Sequence, residues 1–496
     1  MSKLKHLLIS LVASASLFII FSGSTQAASF TVADGNDENT DNSSCSLTEA
    51  ITNINAQSTD EPDCVPTGAY GTDDTINLPA GIITLTGELD PILESVTIAG
   101  EGIGQSVIDG DDGTYPGVTV GGSGTESVAL IEMTIQNVDG TAVLVRDANL
   151  LIDQLEVYGS SDQIGSNTGI EYGIRHSNDN GNSLGVDIGN TYVHHLTTSE
   201  DELAGFFFEN QDVNGSHTEI NLDNVTVDNM DSDTSLTTHG ILFSGFEGLE
   251  QTMDVSASNV TISNISGSQL VNGLAAVVVA ATGDSVMNLD VRNMTITGIA
   301  GSTSIYADSS AFSIGGAALN NSLTAAVTVN ASNLLLAQNT IDNTPANCLV
   351  TDMTPLVMGT GTPELSLTSN GGNLSDDTTC SSYFTQPTDQ NNVTNLALTL
   401  GTLGDYGGSV PTIPLLEGSP AIDAGVTVAG LASDARGVSR PLGLAYDSGA
   451  YESPFTKTVE GTETLASTGQ NIKLVSFFAA LLLALGLMLQ LRRHYV

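Results

Sequence analysis

The side chains best suited to chemistry gather in one stretch of this 496-residue chain: Glu171, Arg175, His176, His194, His195 and His239. Cleavage of a polysaccharide needs grouped carboxyls, or a calcium-binding acid cluster with a cationic base, on one surface. Three or more acids converging with Arg175 or a histidine would meet that need, but no spacing among these residues matches a catalytic motif. His194-His195 offers two imidazoles and no third zinc ligand at a recognisable distance. Two acidic turns, Asp34, Asp37, Glu38 and Asp41, then Asp109, Asp111 and Asp112, suit calcium by ligand type. Neither follows the twelve-residue calcium loop. Nucleophilic triads and phosphate-cradling glycine loops are absent from the sequence. The sequence therefore assigns no catalytic residue, no metal and no cofactor, with calcium the one ion its acids suit. Glu171, Arg175, His194, His195 and His239 remain as a candidate ligand edge.

A repeat must position these residues. Asn190, Asn224, Asn259, Asn293 and Asn333 recur at steps of 34, 35, 34 and 40, and two earlier copies centre on Glu132 and Gln154, 22 residues apart. Apolar residues alternate before each Asn, as in Val186 and Ile188 or Leu289 and Val291, which marks a strand with one buried face. After the Asn the phase slips by one, to Val225 and Val227 or Met294 and Ile296. A bend at the Asn explains the slip, because Asn tolerates the left-handed conformation and both arms can then point inward. A third strand follows in each repeat, near Gly169–Ile174, Gly205–Glu209 and Gly240–Phe243. Three strands per repeat, with the Asn copies stacked, predict an all-β, right-handed parallel β-helix of the pectin-lyase-like kind; seven coils at about 4.8 Å spacing give a rod of roughly 34 Å before its caps. An antiparallel sandwich leaves the common step unexplained and lacks two-residue hairpin turns. About a dozen inserted residues per repeat, such as His194–Leu203 and Asp228–Thr238, must share one edge of such a coil, where repeat proteins place contacts. The same insertions can equally serve as solvated turns over outward apolar residues such as Phe207 and Leu242.

The ends of the rod are also legible. Ser46-Leu47-Thr48-Glu49 is a capping box, and Leu47, Ala50, Ile51 and Ile54 share one helical face that can lie across the open core. Cys45-Ser46-Leu47-Thr48-Glu49-Ala50-Ile51, with Leu78-Pro79-Ala80-Gly81 and Val96-Thr97-Ile98-Ala99-Gly100, resembles the start of the CSLREA-domain family of secreted β-helix proteins, except that Thr48 stands where that motif has Arg. Gly401-Thr402-Leu403-Gly404-Asp405-Tyr406-Gly407-Gly408, Gly418-Ser419-Pro420-Ala421-Ile422-Asp423-Ala424-Gly425, Arg436-Gly437, Arg440-Pro441 and Gly449-Ala450-Tyr451-Glu452 resemble a choice-of-anchor Q domain. That resemblance implies a unit placed just before a surface anchor. Arg436 and Arg440 lie among acids such as Asp434 and Asp447, which points to structural ion pairs. Four cysteines allow three pairings, of which the local one, Cys45 with Cys64 and Cys348 with Cys380, is expected in an exported chain.

Both termini carry addresses. Lys3, Lys5 and His6 precede an apolar stretch from Leu7 to Phe21 and small residues to Ala27, the pattern of a cleaved secretory signal. Near the other end Leu465-Ala466-Ser467-Thr468-Gly469, an uncharged run from Leu474 to Leu491 and Arg492-Arg493 resemble a sortase sorting signal with Ala in place of the commoner Pro. The run would reach about 27 Å as a helix, barely across a bilayer. That resemblance implies cleavage after Thr468 and transfer to cell-wall peptide; a plain membrane anchor through residues 474–491 is the alternative. The expected organisation is a signal peptide (1–27), cap and first coils (28–115), β-helix repeats (116–345), a C-terminal cap (346–453), a polar tether (454–464) and the sorting segment (465–496).

Between the processed ends only Arg146, Arg175, Arg292, Arg436, Arg440 and Lys457 oppose all 57 acids, and the full chain carries a formal charge of −46. Such a surface repels nucleic acid. Trp is absent, which removes the strongest sugar-stacking side chain. The reading that follows is an extracellular, envelope-anchored β-helix that binds an extracellular glycan or another cell surface without chemistry. A surface-tethered polysaccharide lyase or glycoside hydrolase is the alternative.

Overall fold

The Asn column bends the backbone as its repeat predicts. Glu132, Gln154, Asn190, Asn224, Asn259, Asn293 and Asn333 all have φ between 51° and 58°. The computed structural model describes residues 27–457 apart from 34, 41, 112–114, 160–168, 199, 212–214, 233–235, 247–249 and 303–308. Residues 1–26 of the expected signal segment, the sorting motif Leu465–Gly469 and the run 474–491 lie outside the described residues, as do Asp34, Asp41 and Asp112. Among those described, no helix is long and apolar enough to cross a membrane.

Each coil has three faces. The strand Ser183–His194 turns from the first face to the second at Asn190, and His217–Ser232 does so at Asn224. In later coils the bend separates two strands, such as Gln251–Ser258 and Thr261–Gly267. The inward column of the first face runs Val186, Ile220, Val255, Leu289 and Val329, and that of the second runs Val193, Val227, Ile262, Ile296 and Leu336. The third face is a separate sheet of eight parallel strands, from Val118–Gly121 to Cys348–Asp352. Pairing between named strands is parallel except at the small Thr340–Ile341/Thr344–Pro345 contact. The result is a parallel β-helix.

Asn224 Nδ2 donates to Asn190 Oδ1 at 3.3 Å, Asn259 to Asn224 at 3.2 Å and Asn333 to Asn293 at 2.7 Å. A second column of left-handed residues stands five positions further along: Asn137, His195, Asn229, Asn264, Gly298 and Gln338. The second face is thus a short panel between two corners. Where the third face begins, Gly173, Gly205, Gly240 and Gly273 stack; a Cβ on Gly240 would lie 2.5 Å from the Gly273 carbonyl oxygen and 2.7 Å from Ile262. Only glycine lets successive coils approach so closely.

The segments flanking the repeats supply further rungs. Ser29–Thr31, Asp74–Asn77 and Val96–Ala99 precede the repeat on the first face and Glu364–Gly371 follows it, so the rod is longer than the seven coils read from the corners. The helix α1 (Leu47–Ala56) covers the first rung: Ser46 Oγ accepts from Glu49 N at 3.1 Å, Glu49 Oε2 accepts from Ser46 N at 2.9 Å, and Leu47, Ala50, Ile51 and Ile54 are buried. Thr48 donates from N and Oγ1 to Asp37 at 3.1 and 2.6 Å. Both expected disulfides are present, Cys45–Cys64 and Cys348–Cys380.

The C-terminal region does more than close the last rung. It folds back along the second face, where Thr226 Oγ1 donates to Pro411 O, Asn259 Nδ2 to Ser433 O and Ala450 N to Thr295 Oγ1. The outward residues Leu335 and Ala337 are buried there beneath Leu396, Leu415, Ile422 and Tyr451. Arg440 meets Glu452 at 2.9 Å with both side chains fully buried, while Arg436 pairs with Asp434 at 2.6 Å and lies 3.5 Å from the Tyr451 ring centre. The arginines are structural, although Glu452, not Asp447, takes the Arg440 charge.

Candidate functional site

The outward side of the third face is apolar where a solvated sheet would be polar. Strand register aligns Arg175, Phe207, Leu242, Ala275 and Ser313 in one outward column. Side-chain size falls from Phe207 to Ala275 and stays small at Ser313, and a hollow of about 330 Å³ is lined by Leu242, Ala275 and Ser313, with Met353 at its far end. Phe207 and Leu242 are 7% exposed and cluster with Tyr172, Ala204 and Ala275. Phe246, at 42% exposed, stands at the rim.

Among the described residues, charge in the hollow is confined to one end. The Arg175 guanidinium donates through Nε and Nη2 to Glu209 Oε1 at 2.9 and 2.5 Å, and lies 4.9 Å from the Tyr172 ring centre and 5.1 Å from that of Phe207. Gln211 Nε2 donates to the second Glu209 oxygen. Tyr172 donates its hydroxyl to Glu202 Oε2 at 2.6 Å. Burial pushes the Glu202 carboxyl up, and burial followed by the Glu202 charge pushes the Tyr172 phenol up. Glu171, beside Tyr172, is likewise raised by burial. His239 lies between Ala204 and Asn272 in the neighbouring outward column. It is 4% exposed, and burial pushes its imidazole down to about 4, so it is neutral. Among the described residues its Nδ1 has no hydrogen-bond partner, and neither does Ser244 Oγ, also in the hollow.

The six residues singled out in the sequence therefore separate. Arg175 and His239 line the hollow, and Glu171 adjoins it through Tyr172. His176 points into the core, fully buried, with Nε2 2.9 Å from Ala148 O; burial holds its imidazole down at about 4. His194 and His195 belong to the second face and its corner. His194 stacks 3.9 Å from Tyr192, with Nε2 3.2 Å from Glu156 and Nδ1 2.6 Å from His195 Nδ1, so both its nitrogens are engaged. Against burial, which raises it, hydrogen bonds from His194 and Thr134 hold the Glu156 carboxyl below its ordinary value. Of the acidic turns, Asp109 accepts from Gln136 and Asn137, and Asp37 accepts from Thr48. Among the described residues no group of three His, Cys, Asp or Glu side chains is placed to hold a metal.

Sequence reasoning missed Tyr172, Glu202, Glu209 and Ser244. One signal was present: Glu209 follows Arg175 by 34 residues, the step of the repeat, so the two had to stand in adjacent coils.

No family model and no curated protein matches the chain. Among solved structures, the A-module of the Azotobacter vinelandii mannuronan C-5 epimerase AlgE6 is similar at 16% identity, over 57% of this chain and 91% of that one, with a TM-score of 0.22. A likeness of that size superposes no site, and the parallel β-helix stands on the strand register described above.

Proposed function

We propose that this protein is an envelope-tethered β-helix that holds an extracellular polymer, or the surface of another cell, against the outward side of its third face without cleaving it. One observation carries the reading: the third face keeps an apolar hollow on a strongly acidic chain, and among the described residues both carboxyls lining it are already engaged, Glu209 by Arg175 and Gln211, Glu202 by Tyr172. Acid–base cleavage of a glycosidic bond needs a carboxyl free to exchange a proton with the substrate. A tethered lyase or hydrolase is the second reading, favoured by Glu202, raised by burial, in one hollow with Arg175 and a neutral His239. Among the described residues two acids line the hollow, and a third, Glu171, only adjoins it. Incubating the purified protein with a panel of neutral and acidic glycans separates the readings. Retention without shortening of the polymer is expected; release of oligosaccharide would overturn binding in favour of catalysis.

Membership of the CSLREA and choice-of-anchor Q type, and display by sortase, belong to the same reading. It draws support from the capping box on α1 and the buried Arg440–Glu452 pair, which occupy the motif positions. Thr468→Ala should leave the protein extractable by detergent, whereas wild-type protein stays with purified wall. Wild-type protein that itself extracts with detergent would remove the sortase step.

A further inference from the structure

We infer that the hollow of the third face is a subsite for an uncharged, hydroxyl-bearing ring with an apolar face, the chemistry of a neutral hexose unit within a glycan; the inference rests on the polymer-binding reading and names its ligand class. The polar atoms come first. Among the described residues, His239 Nδ1 and Ser244 Oγ are buried without partners, and both residues line the hollow. A buried polar atom left unpaired is costly, and native structures keep few of them without a reason. A neutral imidazole and a hydroxyl each donate and accept, and sugar hydroxyls do the same, so a ring seated here would complete both.

Shape and charge narrow the class. The floor of Leu242, Ala275 and Val277 offers carbon to a ring face, and the exposed Phe246 at the rim supplies an aromatic surface of the kind the absent Trp would otherwise give. The hollow, about 330 Å³, is at the low end of small-molecule sites, which run from about 300 to 1,000 Å³, and so admits a short stretch of a chain and not a long one. Arg175, its one cation among the described residues, is already neutralised by Glu209, and Glu202 stands beside it. A uronate or sulfated ring would bring a negative charge that no described cation lining the hollow is left to pair, onto a chain of formal charge −46. A cationic ring would have to take Glu209 from Arg175 or Glu202 from Tyr172.

Titration calorimetry of the purified full-length protein with cellohexaose, mannohexaose and galactohexaose, against hexagalacturonate, tests this. At least one neutral hexaose should bind ten-fold or more tightly than hexagalacturonate. Ala275→Leu, which raises the floor, and Phe246→Ala, which removes an exposed ring without touching the core, should each weaken that binding at least five-fold while thermal melting shows both variants folded. Neutral binding unchanged in folded Phe246→Ala and Ala275→Leu would overturn the subsite and leave polymer binding standing elsewhere on the rod. Should Ala275→Leu not fold, Phe246→Ala decides alone. Preference for hexagalacturonate would overturn the ligand class but not the polymer-binding reading. Retention of none of these oligosaccharides, nor of their parent polysaccharides, would overturn both.

Discussion

The first and third faces back the same core, coil for coil, yet they show water different chemistry. On the first face the outward column reads Asp187, Asn221, Ser256, Asp290 and Asn330. Asn221 Nδ2 donates to Asp187 Oδ1 at 2.9 Å, and Asn288 does the same to Asp254 at 2.8 Å. On the third face the corresponding column is Arg175, Phe207, Leu242, Ala275 and Ser313. Strand alternation fixes which side chains point inward and leaves the outward set free. One flank spends that freedom on a hydrated ladder that keeps a long sheet soluble, and the other on a tapering apolar trough.

If the two faces are equivalent inside and different outside, substitutions should divide the same way. Phe243→Ala, fully buried on the third face, should cost about 3–5 kcal/mol, and Leu289→Ala on the first about 2–5 kcal/mol, read by urea unfolding. A third-face loss below about 1 kcal/mol would mean that this sheet does not share the core. Gly240→Ala should cost about 3 kcal/mol, the upper end of overpacking, because the new Cβ meets the next coil's carbonyl at 2.5 Å and neither backbone can yield alone.

Acid should also distinguish the faces. His176 is neutral inside the third face, with its imidazole held down at about 4 by burial, against an ordinary value of 6.5. Its contribution is full above pH 6.5 and is lost as pH falls toward 4, on the order of 3 kcal/mol across that window. His239 adds in the same direction. His176→Leu should flatten the fall in urea midpoint between pH 6.5 and 4; an unchanged slope would show that the imidazole is not buried neutral. The smallest effect belongs to the hydrated ladder, where Asn221→Ala should shift stability by less than about 0.5 kcal/mol.

Much of the fold could be read because left-handed backbone selects Asn, and stacking forces its repeat. Glu132 and Gln154 bend identically without being Asn, and only the apolar phase slip reveals them. The second corner escaped notice because its residues vary from Asn137 to His195 to Gln338, although Asn229 and Asn264 stand at the same offset. Of the trough, Arg175 and His239 stood out as residue types. Tyr172, Glu202 and Glu209 did not, because Tyr172 to Glu202 and Arg175 to Glu209 are contacts across coils whose register depends on insertions of unequal length. The C-terminal motifs were plain, but nothing in them says which flank of the rod they cover.

That covering has a consequence for the order in which the molecule is made. Coils can wind one upon another as the polypeptide emerges, since each needs only its predecessor. Thr226, however, waits for Pro411, synthesised 185 residues later, and Leu335 stays wet until Tyr451 arrives. Winding is sequential but sealing is terminal, so a chain interrupted before the last hundred residues would be a wound spool with one greasy side bare, exposed to its neighbours until degraded or completed.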